Sequence, residues 1–204
     1  MTAAREPLRR LKDDTADLHQ QAELHVRILD ADATLTDYRQ YLATMLGYHA
    51  PLEDVLQAHD GLRAAGFDAA ARRRAPMLAA DLLALGDDPR GAPRCTSLPP
   101  VTSLARALGV AYVLEGSTLG GRYILAKLPP PLVRLRGRAT AFLTGHGPET
   151  GSRWRAFAAI VARELVTPAA EDEAVFGARE TFVRLIDWLA PRTRAAGESL
   201  QEAS

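Results

Sequence analysis

Apolar residues recur at helical spacing along most of this chain, and no run of strict alternation bounded by hairpin turns interrupts them. Over 5–29, Leu8, Leu11, Ala16, Leu18, Ala22 and Val26 fall three or four apart. A second helix is expected from Thr36, whose hydroxyl can cap the first turn, through Tyr38, Tyr41, Leu42, Met45, Leu46 and Leu52 to about His59. Pro51 is placed to bend it, because proline cannot donate to the helical ladder. Further helices are predicted over 76–85, 102–127, 132–143, 149–165 and 169–190. They are separated by the irregular stretch GDDPRGAPRCTSLPP at 86–100, by Pro129, Pro130 and Pro131, and by Gly145 and Gly147. The last helix is expected to open at Thr167 and Pro168, with Glu171, Asp172 and Glu173 near its positive end. This pattern predicts one all-α domain of about seven or eight helices over 1–204, with its ordered core at about 5–192.

Bulk composition narrows the function classes. A 47% hydrophobic fraction over 204 residues is ample for a buried core. The 25 basic and 25 acidic side chains cancel, which argues against nucleic acid as a partner and leaves room for an anionic small molecule. Cys95 is the single cysteine, so no intramolecular disulfide can form and no thiolate cluster is available. No stretch of 18 apolar residues runs uninterrupted and the first residues lack a signal-peptide core, so a cytoplasmic protein with no membrane partner is expected.

Two segments stand apart from ordinary amphipathic helix. The first is YVLEGSTLGGRYI at 112–124, where each interior glycine costs a helix about 1 kcal/mol relative to alanine. Gly116 and Gly120 are four apart and share a face with Tyr112, and Gly121 widens the strip. A strip without side chains lets another body approach the backbone. A neighbouring helix and a flat ligand fit equally well, whereas phosphate cradling lacks the preceding strand and the Gly-Lys-Ser/Thr that it needs.

The second segment is LKDDTADLHQQAELH at 11–25. Lys12, Thr15, His19 and Glu23 are spaced three, four and four, on one expected helical face. A histidine with a carboxylate one turn later suits a metal ligand whose second ring nitrogen is held by that carboxylate. The alternative is a solvated helix face. His25, His49, His59 and His146 offer neither an HExxH pattern nor the Glu-x-x-His of a di-iron bundle. One histidine facing a glycine-lined helix favours a metal that brings its own equatorial ligands, as in heme.

With these two motifs in view, the sequence resembles the heme oxygenase family, in particular its bacterial biliverdin-producing, bacteriophytochrome-associated type. Lys12, Thr15, His19 and Glu23 are similar to the family's proximal-helix pattern, and Gly116, Gly120 and Gly121 to its distal Gly-x-x-x-Gly-Gly. YRQYLATMLGYHAPLE at 38–53 and the segment 167–183 also look familial, so the likeness covers most of the chain. The resemblance implies a multi-helical fold with heme b between a proximal helix and a kinked distal helix. It implies His19 as iron ligand with Glu23 behind it, Lys12 and Tyr112 on the propionates, and Gly116 and Gly120 giving clearance, with flexibility from Gly121. Trp154, Phe157 and Phe182 become candidate pocket walls, and Arg153, Arg155, Arg179 and Arg184 candidate propionate contacts. Animal-type members carry an aspartate after the first glycine, where this chain has Ser117. Ser117 either helps to hold distal water or only bonds the carbonyl one turn back.

The activity implied is oxidative opening of heme to biliverdin, by default the alpha isomer, with release of carbon monoxide and ferrous iron. It consumes O2 and electrons. The chain has no flavin or nicotinamide fingerprint, so a reductase or ferredoxin is implied as electron donor, and a bacteriophytochrome is one possible recipient of biliverdin. Three other readings compete: a non-catalytic heme-binding or storage protein of this fold, a thiaminase-like helical enzyme, and a helical adaptor. The thiaminase-like reading needs a cysteine in the helical core, and Cys95 falls in the 86–100 loop.

Overall fold

A computed structural model of the chain describes residues 6–201, with side chains over 7–192. The expected helix start at Arg5 and the outermost parts of the 1–204 domain, 1–5 and 202–204, lie outside the described residues. Where one helix is expected over 5–29 there are two, α1 (Glu6–Asp14) and α2 (Ala16–Glu23). The break falls at Thr15, whose ψ of 1° leaves the helical region and whose hydroxyl donates to the Leu11 carbonyl at 2.7 Å. A hydroxyl that bonds the carbonyl one turn back bends a helix in this way.

The next helix, α3 (Leu35–Ala58), is capped by Thr34 rather than Thr36. Thr34 has an aspartate three residues on: its hydroxyl accepts the Asp37 N–H at 3.2 Å, and the Asp37 carboxylate accepts the Thr34 N–H at 2.7 Å. Thr36 has Arg39 at that position and cannot build the same box. Pro51 sits inside α3 without ending it. Then come α4 (Asp60–Ala64), α5 (Ala75–Ala84) and α6 (Leu104–Lys127), the last capped by the Ser103 hydroxyl.

The helix expected over 132–143 is instead two short turns, α7 (Pro130–Val133) and α8 (Ala141–Thr144). Gly137, at φ +75°, reverses the chain between them. Asp81 of α5 then fixes the start of α8 by accepting the Ala141 and Phe142 N–H groups at 2.8 and 2.9 Å. α9 (Thr150–Glu164) follows, and α10 (Pro168–Gln201) runs past the expected 190 with Pro191 inside it. The described residues thus hold ten α-helices and no strand; the surplus over seven or eight comes from the Thr15 break and from the short α4, α7 and α8.

Helices α6 and α10 form the central crossing. A methyl group at Gly109 would overlap the Ala174 carbonyl, and one at Gly177 would lie 2.5 Å from the Arg106 carbonyl oxygen, so the two backbones meet without side chains between them. Buried apolar residues gather on two sides of this axis. Leu11, Leu18, Leu108, Phe157 and Val161 join α1, α2 and α9 to it, while Tyr38, Leu42, Leu78, Leu132 and Phe142 form the second group under α3, α5, α7 and α8. The Tyr48 hydroxyl donates to the Thr181 carbonyl at 2.6 Å, and the Trp188 indole to the Thr44 carbonyl at 2.8 Å, tying α3 to α10.

Candidate functional site

Leu18 and Ala22 are the buried residues of α2, and burying them turns the adjacent His19 and Glu23 outward. His19 and Glu23 keep 58% and 65% of their side-chain surface exposed, with Nδ1 of His19 3.5 Å from the Glu23 carboxylate. The Phe182 ring of α10 meets the imidazole edge-to-face at a centroid distance of 5.7 Å. Nε2 is the ring nitrogen pointing away from Glu23, and so the one available to a metal. Among the described residues no three His, Cys, Asp or Glu side chains converge on a common point, so His19 is a lone donor.

Thr15 does not share this face. It is 2% exposed, because it falls on the buried stripe of Leu11, Leu18 and Ala22 at spacings of four, three and four, whereas Lys12 is exposed. The single-face reading of Lys12, Thr15, His19 and Glu23 therefore fails at Thr15, and Lys12 lies on α1, across the break from His19 and Glu23. Thr15 instead lies beside the Tyr112 phenol, whose pKa is raised chiefly by burial. Tyr112 also tilts against Trp154 at 6.1 Å. This contact sets the two motifs side by side: His19 lies one turn beyond Thr15 on α2, and Gly116 one turn beyond Tyr112 on α6.

The three glycines of α6 separate into two kinds. A Cβ at Gly116 or Gly120 would meet nothing within 4 Å, so both border open space. A Cβ at Gly121 would lie 3.1 Å from the Leu143 carbonyl oxygen. Gly121 is therefore a packing glycine against α8, and it does not widen the open strip. Leu119 and Tyr123, 45% and 62% exposed, flank Gly120.

Beneath the open strip lies a buried polar cluster that the sequence reading missed. Arg74 is 2% exposed. Its Nη1 donates to Ser117 Oγ at 2.6 Å, its Nη2 donates to the Phe142 carbonyl at 2.9 Å, and its guanidinium carbon sits 4.0 Å from the Phe142 ring centroid. Nε is buried without a partner. Burial pushes the Arg74 pKa down to about 10, against the pull of Tyr41, Glu53 and Glu115, so it stays charged at neutral pH. Ser117 gives its own proton to the Leu114 carbonyl at 2.7 Å.

Glu53 accepts the backbone N–H groups of Arg74 and Ala75 at 2.9 and 3.1 Å, and contacts Nδ1 of His49 at 3.1 Å. Burial lowers the His49 pKa, and Glu53 opposes this only in part. For Glu53 desolvation acts upward, yet His49 and the two N–H groups together hold its pKa below the usual carboxylate value. Close by, Arg72 and Glu115 form a largely buried pair at 2.5 Å, and burial raises the Glu115 pKa despite Arg72. The local signal for this cluster was His49 with Glu53 one turn on; nothing local linked either to Arg74 or Ser117.

The other candidates sort by contact. Phe182 touches His19, and Trp154 touches Tyr112, but Phe157 is fully buried core rather than pocket wall. Arg153, Arg179 and Arg184 are engaged by Glu149, Asp17 and Glu180 respectively, while Arg155 is exposed. Among the described residues no helix is long and apolar enough to cross a membrane.

Comparison with known proteins gives the family and the fold. The heme oxygenase family model matches residues 6–191. The chain is 32% identical over 166 residues to the heme oxygenase of Xanthomonas campestris pv. campestris (strain 8004), a match covering 81% of this chain and 94% of that protein. The fold is similar to a crystal structure of NO- and CO-bound heme oxygenase from Neisseria meningitidis, with a TM-score of 0.77, 25% identity, and coverage of 95% of this chain and 92% of that one. A lone outward histidine, a bare helical strip one anchor away and a family match over nearly the whole chain lead to one conclusion: the chain belongs to the heme oxygenase family of oxidoreductases.

Proposed function

We propose that this protein binds heme b between α2 and α6 and degrades it, with O2 and external electrons, to biliverdin, carbon monoxide and ferrous iron, the alpha isomer being the default product. The observation that carries this is the pair Gly116 and Gly120, whose absent side chains leave open space beside the helix that carries an unburied histidine. Bound there, heme supplies both the iron that activates oxygen and the ring that is opened. His19 offers Nε2 to the iron, and Glu23 accepts from Nδ1–H, which fixes the ring plane and raises the basicity of the ligating nitrogen. Lys12 and Tyr112 are the residues assigned to the propionates, an ammonium and a phenol suiting a carboxylate. Gly116 and Gly120 let the heme plane approach the α6 backbone.

Electrons come from a separate reductase or ferredoxin. From 116 to 148 the chain carries Arg122, Lys127, Arg134, Arg136 and Arg138, all exposed, and no Asp or Glu. That surface suits an acidic donor, and donor-driven reduction should slow as salt rises. Biliverdin release to a bacteriophytochrome is one use of the product; regiospecificity depends on how the propionates are held.

Purified protein loaded with heme should give a histidine-type Soret spectrum, and turnover with a reductant should give biliverdin absorbance and carbon monoxide. His19→Ala should abolish the histidine-ligated spectrum. An unchanged spectrum would assign the iron to another residue. Stable heme binding without biliverdin would favour the alternative, a heme-binding or storage protein of the same fold.

A further inference from the structure

Arg74 is the least expected residue in the molecule. A guanidinium that is 2% exposed has no carboxylate within ion-pairing distance among the described contacts, and its buried Nε has no partner. Taking a charge out of water costs several kcal/mol unless it is paired or used. Glu53 accepts from the Arg74 backbone rather than from its side chain, and Glu115 is taken by Arg72. What the guanidinium does hold is Ser117, on the helix that carries the open glycine strip.

Ser117 is thereby fully oriented. Its one proton goes to Leu114 and one lone pair takes the Arg74 N–H, so the remaining lone pair can only accept. A hydroxyl mid-helix that bonds the preceding turn is ordinary; one that is also clamped by a buried cation is not.

We infer that Arg74 is a positioning residue for the distal face: it fixes the Ser117 oxygen as an acceptor and holds a positive charge behind it, favouring an anionic ligand on the heme iron. The inference rests on heme binding at the His19 and glycine site. A fixed cation that is poorly screened stabilises negative charge developing nearby without reorganising during the reaction.

The charged and titratable groups around Arg74 come from several elements: Tyr41, His49 and Glu53 on α3, Glu115 on α6 paired to Arg72, and His146 beyond α8. Tyr41, pushed up to about 12 by burial, stays neutral through mildly alkaline pH. The acid–alkaline transition of the ferric heme complex, followed by absorbance over that range, therefore reads the distal field rather than turnover.

Arg74→Met removes the charge while keeping an apolar stem over Phe142, and should raise the transition midpoint by about one pH unit. Arg74→Lys should restore only part of the shift, because the same burial draws an ammonium toward its neutral form at lower pH than a guanidinium. Ser117→Ala removes the acceptor but leaves the cation, and should move the midpoint the opposite way, downward. An unmoved midpoint in Arg74→Met, or a shift of the same sign in Arg74→Met and Ser117→Ala, would overturn the inference. If Arg74→Met does not fold, Ser117→Ala decides, and a midpoint that stays or rises overturns it. A wild-type protein without a histidine-ligated spectrum overturns the heme proposal and this one together; a normal spectrum with an unmoved midpoint overturns this one alone.

Discussion

The chain contains two histidines followed by a glutamate one helical turn later, His19 with Glu23 and His49 with Glu53. Their spacing is identical and their surroundings are opposite. The first pair is 58% and 65% exposed with 3.5 Å between the groups; the second is 2% and 6% exposed at 3.1 Å. His19 is held by little more than Glu23 and the edge of Phe182, which leaves it free to take a ligand. His49 packs edge-to-face on Phe142, and Glu53 spends its remaining acceptor capacity on two backbone N–H groups at the start of α5. One sequence pattern thus leaves an imidazole accessible where the helix face is open and makes a structural tie where it is covered.

The largest difference between the pairs should appear on removing each carboxylate. Glu53→Ala strands the His49 ring and two buried N–H groups, and should destabilise the fold by about 3 kcal/mol or more. Glu23→Ala leaves only exposed groups and should change apoprotein stability by less than about 0.5 kcal/mol, while disturbing the heme spectrum. Urea unfolding of both apoproteins checks this. Comparable losses in the two would mean that Glu23 carries structural weight that its exposure does not suggest.

The contrast also marks what was legible in the sequence. The helical class, the long helices, the exposed His19–Glu23 pair and the open strip were readable because each rests on local spacing: i to i+4 for His19 and Glu23, and Gly116 to Gly120 for the strip. The Thr15 break was not, because periodicity says nothing of a hydroxyl turning to the Leu11 carbonyl. Nor was the distal cluster, since His49, Arg74, Ser117 and Phe142 lie on four elements and are brought together only by the packing of α3, α5, α6 and α8. Thr34 was within reach, because its Asp37 completes a capping box that Thr36 lacks.

Within the glycine motif the same lesson gives a smaller effect with a difference between neighbours. Gly116→Ala and Gly120→Ala place a methyl in open space, so each should stabilise the apoprotein by up to about 1 kcal/mol through helix propensity. Both should weaken heme binding, since the methyl occupies the clearance that the ring needs. Gly121→Ala meets the Leu143 carbonyl at 3.1 Å and should lose that gain, because the backbone of α8 cannot retreat as a side chain can. Thermal unfolding of the three apoproteins, paired with heme titrations, separates clearance from packing. Equal gains at all three positions would place Gly121 on the open strip after all.

The finest test uses pH on the buried pair. Burial lowers the folded-state pKa of His49 below its ordinary 6.5, so in the window below that value the unfolded chain binds a proton that the native state refuses. Stability is then full above about 6.5 and falls as pH drops through that value. Glu53, also held below its ordinary 4.5, adds a second loss in the same direction at lower pH, as the unfolded carboxylate takes up its proton first. His146, lowered by burial and by Arg153, contributes in the first window, so His49→Gln should flatten only part of the slope between neutral pH and the carboxylate range. It should leave the lower step in place, because Glu53 keeps its two backbone N–H donors. Denaturant midpoints across that range read both steps. A slope unchanged by His49→Gln would mean that His49 takes a proton without leaving the fold, and that Glu53 stabilises the imidazolium rather than the neutral ring.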